Sequence, residues 1–182
     1  MDGSTAPQHY PVFLRHDHGT LWQTPRLLRD KDEYGAAARS AAAEEGLIAV
    51  EHCDTADASG IYRKYACFIV GERIVPRHLF FSRNWLVKQA DLCESAMVEE
   101  ELAFLASNPH AALLRETCRI ANISYGRVDY ALLEGQPQVW EINITPALVT
   151  DPAQDAPARR PVHERFVQMF GKALDAIDAP PA

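Results

Sequence analysis

Two short segments carry side chains whose types and spacing could do chemistry: Gly126-Arg127-Val128-Asp129, then Glu141-Ile142-Asn143. Together they offer two carboxylates, an amide oxygen and a guanidinium. Magnesium prefers hard oxygen ligands, commonly one or two carboxylates completed by substrate phosphates. A guanidinium beside such a set can hold a phosphate or a developing negative charge.

Successive side chains on a strand point to opposite faces, so Arg127 would share a face with Asp129, and Glu141 with Asn143. A hairpin loop of three or five residues would bring Asp129 opposite Glu141 on that face. A loop of two or four would break the pairing. Trp140, Ile142 and Ile144 alternate with the polar residues and would pack on the other side. An ordinary half-exposed hairpin with solvated acids shows the same alternation.

The elements that must position these residues can be read from pattern. Pro11–Arg15 is a short strand candidate, followed by the polar loop His16-Asp17-His18-Gly19-Thr20. Residues 32–45 are Ala-rich and favour a helix, with Gly46 placed as its C-cap, and Leu47–Val50 reads as a buried strand. Tyr62–Val70 and Arg73–Phe81 read as strands joined at Gly71-Glu72.

Residues 95–107 read as a helix, and a second helix follows Pro109. Tyr125–Leu133 and Gln138–Ile144 form a second hairpin around Glu134-Gly135-Gln136-Pro137. Residues 151–161 read as a linker or surface loop, and 162–177 as a closing amphipathic helix. The irregular alternation of hairpins and helices predicts an α+β fold.

The chain has 182 residues, 47% of them hydrophobic, so a packed core is expected. The formal charge of −7 argues against nonspecific binding to nucleic acid or to an anionic membrane. A nucleotide remains compatible, since one magnesium ion and a few placed bases suffice locally. No apolar run approaches a membrane span, and the first ten residues carry no apolar signal segment. Cys53, Cys67, Cys93 and Cys118 form no Cys-x-x-Cys pair, which favours reduced thiols in a cytoplasmic protein over a zinc or redox motif.

The order of these motifs resembles the ATP-grasp superfamily of carboxylate–amine ligases. Its signature of Arg-x-Asp on one strand and Glu-x-Asn on the next, then a small residue and Pro, is similar to Arg127-Val128-Asp129 and Glu141-Ile142-Asn143-Ile144-Thr145-Pro146. Arg15 and Gly19 resemble the base and the loop glycine over the phosphates. Leu47–Val50 running into Glu51, His52 and Cys53 resembles the adenine-binding hinge. The hairpin Tyr62-Arg63-Lys64-Tyr65 through Val75-Pro76-Arg77-His78 resembles the central hairpin of the family, with Lys64 and Arg77 as bases near the nucleotide.

The resemblance implies two α+β lobes with antiparallel hairpins and the nucleotide between them. Residues 1–10 would be a flexible tail, 11–54 a partial nucleotide-binding lobe with phosphate loop and hinge, and 55–182 the metal-binding lobe with the final helix. It also implies ATP, with magnesium or manganese held by Asp129, Glu141 and Asn143. The nucleotide contacts would be Arg15, Glu51, His52, Cys53 and Lys64, and the catalytic bases Arg77 and Arg127.

The implied reaction joins a small-molecule carboxylate to a nucleophile through an acyl phosphate. An ATP-grasp-like kinase, and a non-catalytic module needing a partner chain, remain alternatives. Family members have a longer N-terminal region, which a partner chain or a second copy in a homodimer would supply.

Other residues admit plainer readings. His16-Asp17-His18 could be a metal loop or, more simply, a phosphate- or substrate-facing loop. Ser82-Arg83-Asn84-Trp85 and Lys88 could touch an acceptor or form a surface loop. Glu99-Glu100-Glu101 is expected as a solvated helix face, and Arg159-Arg160 as a surface pair.

Overall fold

The computed structural model describes residues 6–17, 25–147 and 156–178. His18, Gly19 and Thr20 of the glycine-bearing loop lie outside the described residues, as do 1–5 of the tail and 151–155 of the expected linker. The fold is α+β with antiparallel sheets, in two compact units, Met1–Asp54 and Thr55–Ala182.

In the first unit, β1 (Val12–His16) pairs antiparallel with β2 (Leu47–Glu51). Helix α1 (Lys31–Ser40) lies between them in sequence. Asp30 caps it, its carboxylate accepting from the backbone N–H groups of Asp32 and Glu33, both at 2.9 Å. Val12, Leu14, Leu28 and Ala37 form the small core. The expected helix to residue 45 is shorter, ending at Ser40 with Ala41 as C-cap. Gly46 is not the cap. It takes φ 69° at the entry to β2, where its carbonyl accepts from Asp17 N–H at 2.7 Å. The chain has to leave the helix early to make that turn.

The second unit is built on a four-stranded antiparallel sheet in the order β4-β3-β5-β6. Its strands are β3 (Tyr62–Val70), β4 (Arg73–Ser82), β5 (Tyr125–Leu133) and β6 (Gln136–Asn143). Paired residues share a face. Tyr65, Cys67 and Ile69 of β3 therefore share one face with Tyr130 and Val128 of β5, and Lys64, Ala66 and Phe68 share the other with Asp129 and Arg127.

Helix α2 (Ser95–Ser107) covers the first face, with Phe104 edge-on to Tyr65 at 5.1 Å. His110, which opens α3 (Ala111–Ala121), bonds the Tyr130 hydroxyl at 2.9 Å. Helix α4 (Arg160–Asp178) packs on part of the second face, with Phe166 and Phe170 at 5.5 and 5.0 Å from Phe68.

Three sequence expectations are corrected here. Residues 157–161 are not linker. Pro157–Arg159 form a 3-10 turn that runs directly into α4. Arg159 is not a surface residue, being only 3% exposed. Glu101 is not on a solvated face, being 1% exposed.

Glu101 and Arg159 hold each other through two hydrogen bonds, 2.8 and 3.0 Å long. The Glu101 carboxylate also accepts from the backbone N–H of Leu79 at 2.9 Å. That amide lies on β4, an edge strand, and would otherwise be an unmet buried donor. Glu100 is likewise engaged, by Arg63 at 2.8 Å. All four cysteines are free, and Cys67 and Cys118 are buried.

Candidate active-site face

The β5–β6 hairpin turns on two residues rather than the expected four. Glu134 and Gly135 both take positive φ, 51° and 78°, and Leu133 pairs directly with Gln136. Such a turn matches the right-handed strand twist. Continued unbroken, its register would set Asp129 against Trp140 and turn Glu141 to the other face. A bulge prevents this. Tyr130 pairs with Val139 but Asp129 pairs with Glu141, so Trp140 is the extra residue. Beyond it Arg127 pairs with Asn143, and all four polar residues stand on one face.

Gly126 permits the hairpin to close there. A Cβ at Gly126 would lie 2.8 Å from the carbonyl oxygen of Asn143, too close for any side chain. Gly126→Ala is expected to push β6 away from β5 and to cost about 1–3 kcal/mol, as overpacking does. A urea titration beside wild type measures this.

The Asp129 carboxylate is buried and doubly held. Arg127 donates to it in bidentate fashion at 2.7 and 3.2 Å, and Lys64 approaches to 3.4 Å. Two cations on one carboxylate leave a local surplus of positive charge, and both cations remain about a fifth exposed (21% and 18%). Glu141, directly opposite, is exposed, and no hydrogen bond or ion pair among the described residues engages it. The Asn143 amide oxygen accepts from Thr145 N–H at 2.9 Å and keeps a second lone pair.

The donor set is thus all oxygen, as a hard divalent cation requires. Among the described residues no three His, Cys, Asp or Glu side chains converge as a metal site. Asn143 and ligand oxygens would have to complete the shell.

One row of the sheet runs His78–Ala66–Asp129–Glu141 across its four strands. The β4 end contains a second bulge, where Ala66 pairs with His78 and Cys67 with Pro76, leaving Arg77 extra. Pro76 has no N–H to give the ladder, which suits that place. The His78 ring lies flat on Phe80, 3.7 Å away and 2° from parallel. Arg159 and Lys64 sit over Phe80 at 4.7 and 5.7 Å, and Arg77 is buried over Phe166 at 4.4 Å. The sequence names His78 only as part of the central-hairpin resemblance, with no role of its own. A histidine two residues past a strand proline was the available signal.

Burial, and then the positive charges of Arg77, Lys64, Arg127 and Arg159, hold the His78 imidazolium far below its ordinary range. The folded state therefore keeps His78 neutral while the unfolded chain takes up a proton below about pH 6.5. Its contribution to stability is full above that pH and is lost as pH falls. Burial acts the same way on His52 and His110. His78→Gln is expected to reduce, without abolishing, the fall in urea midpoint between about pH 7.5 and 5.5.

No family model matches the sequence, and no curated protein matches it. Solved structures do. The chain is similar to a D-alanine–D-alanine ligase from Bacillus anthracis at 16% identity and TM-score 0.49, covering 92% of this chain and 55% of that one. It is also similar to the D-alanine–D-alanine ligase from Coxiella burnetii at 15% identity and TM-score 0.43, covering 91% and 45%. An L-amino acid ligase from Bacillus licheniformis matches at 16% identity and TM-score 0.43, covering 77% and 33%. The chain spans 55% of the length of the first of these ligases and less of the other two.

The remaining candidate residues divide between the units. Lys64, Arg77, Arg127, Asp129, Glu141 and Asn143 belong to the second, and Arg15, Glu51, His52 and Cys53 to the first. Glu51 is exposed and ends β2, and the backbone N–H of His52 donates to Pro11 carbonyl at 2.8 Å. Burial raises the Cys53 thiol above its ordinary value.

A groove of about 520 Å³ is lined by Tyr62, Ser82, Arg83, Asn84, Trp85, Asp91 and Leu92. Tyr62 and Ser82 are paired and fall on the same face as Lys64 and Phe80. The Ser82 hydroxyl donates to Asp91 at 2.5 Å and accepts from Asn84 N–H at 2.9 Å, which shapes the loop. No helix among the described residues is long and apolar enough to cross a membrane.

Proposed function

We propose that this chain carries the nucleotide- and metal-binding face of an ATP-grasp-type ligase, using magnesium–ATP to join a carboxylate to a nucleophile. The observation that carries the reading is the bulged hairpin, which gathers Arg127, Asp129, Glu141 and Asn143 on one face beside Lys64.

In this reading Glu141, Asn143 and Asp129 would hold magnesium, which neutralises charge on the β- and γ-phosphates. Lys64 and Arg127, each with N–H donors beyond those given to Asp129, would bind phosphate oxygens. Arg77, packed on Phe166, would add positive potential. Arg15 and the segment Glu51-His52-Cys53, all in the first unit, would be nucleotide contacts of that unit. The groove at Tyr62, Ser82 and Trp85 would take the acceptor.

A carboxylate oxygen of the first substrate attacks the γ-phosphorus, and the bond to ADP breaks. The nucleophile, an amine, then adds to the acyl carbon. Inorganic phosphate leaves and the amine gives up a proton. Most of the rate would come from positioning and from charge held ready by Lys64 and Arg127.

An ADP-release assay over pooled carboxylates and amines tests the reading. ADP with one phosphate released only when both pools are present is the expected result. ADP with a phosphorylated alcohol would instead indicate a kinase. Tight magnesium–ATP binding without turnover on any pool would indicate a module that acts with another chain.

A further inference from the structure

We propose that the Nε2 atom of His78 is a hydrogen-bond contact for the terminal phosphate of the bound nucleotide. The proposal rests on the nucleotide-binding reading above and names a residue that reading does not use.

The first observation is a buried group without a partner. His78 is 6% exposed, and its Nε2 atom makes no hydrogen bond among the described residues. Buried polar atoms in native proteins are nearly always satisfied, and an exception points to a missing ligand or water.

The second observation is placement. His78 and Asp129 flank Ala66 in one row of the sheet. Two strand spacings separate their Cα atoms by roughly 10 Å. Ala66 contributes only a methyl group between them, the smallest side chain of the row. Lys64 precedes Ala66 on the same face, and Arg127 lies one row further along. Ala66 is fully covered in this structure. Lys64 and Arg127, each partly exposed, are the cations of this face nearest the row.

The third observation is the chemistry of the ring. Stacking on Phe80 fixes its plane. The cations around it oppose its protonation, so it stays neutral rather than competing with Lys64 and Arg127 for negative charge, and with its proton on Nε2 it is a donor. An anion is the ligand that gains from all of these groups at once. A phosphate at the end of a nucleotide is distinguished from a substrate carboxylate by dependence on phosphate number.

The test is isothermal titration of the whole chain with ATP, ADP and AMP at constant magnesium, using wild type, H78N and H78Q. Glutamine can place its amide N–H near the position of Nε2, whereas asparagine reaches only as far as Nδ1. H78N is expected to weaken ATP binding about tenfold or more, the worth of one hydrogen bond to a charged group. ADP should weaken less and AMP not at all, and H78Q should restore ATP binding to near wild type.

Equal weakening of all three nucleotides by H78N would overturn the proposal, as would equal behaviour of H78N and H78Q. If wild type binds ATP and Lys64→Met weakens it while H78N does not, this inference fails and the proposed function stands. If wild type binds no ATP at all, both fail. Should H78N not fold, H78Q against wild type still decides, because a loss of ATP affinity in folded H78Q contradicts the rescue.

Discussion

Glu101→Ala is expected to lower the stability of the second unit by about 3–5 kcal/mol, the usual cost of breaking a buried ion pair from one side. The substitution takes away the carboxylate that receives two hydrogen bonds from Arg159. The guanidinium cannot reach water easily, being 4% exposed at its side chain. It also strips the Leu79 N–H of its acceptor on an edge strand. Urea denaturation followed by circular dichroism measures the loss. The double variant Glu101→Leu with Arg159→Met should recover much of it, since an apolar pair of similar volume leaves no buried charge. A single substitution costing under about 1 kcal/mol would mean that water reaches the pair.

Glu141→Gln is expected to do the opposite, leaving the fold intact and removing the response to magnesium. Glu141 is exposed and makes no ion pair among the described residues. Its change should therefore move stability by no more than about 0.5 kcal/mol. Its position opposite Asp129 is what gives it a role. Asp129 is already held by Arg127 and Lys64, so Glu141 is the carboxylate of the pair with charge to spare for a cation. Glutamine keeps the shape and one oxygen but not the charge. ATP alone should bind the variant about as it binds wild type, through Lys64 and Arg127. Calorimetry with and without magnesium separates the two effects. A variant that keeps its magnesium response would move the metal elsewhere on the face.

The α+β class and the two hairpins of the second unit were legible in the sequence, because apolar alternation and Gly71 and Gly135 are local signals. The convergence of Asp129 and Glu141 was legible only as a condition. The loop proved to have two residues, which by itself separates them, and the bulge at Trp140 brings them back. A bulge depends on what the partner strand and the opposite face require, so no run of residues announces it.

Glu101 and Arg159 read as surface charge for a related reason. Each sits beside another acid or another base, which reads as solvent-facing charge, yet they meet across 58 positions of sequence. Burial of a charge is decided by its partner, and the partner was remote. His78 was hidden by the same logic, since its relation to Asp129 exists only once β3 lies between β4 and β5.

The most direct test of the central claim is the melting temperature of the wild-type chain with ATP, with and without magnesium. At ligand near a hundred times its dissociation constant, binding should add about 2.7 kcal/mol, a rise of about 5–10 °C for a chain of this size. The expected result is a clear rise with magnesium–ATP, a smaller one with ATP and chelator, and none with magnesium alone. No rise with magnesium–ATP at millimolar concentration would contradict the assignment of this face to a nucleotide and its metal.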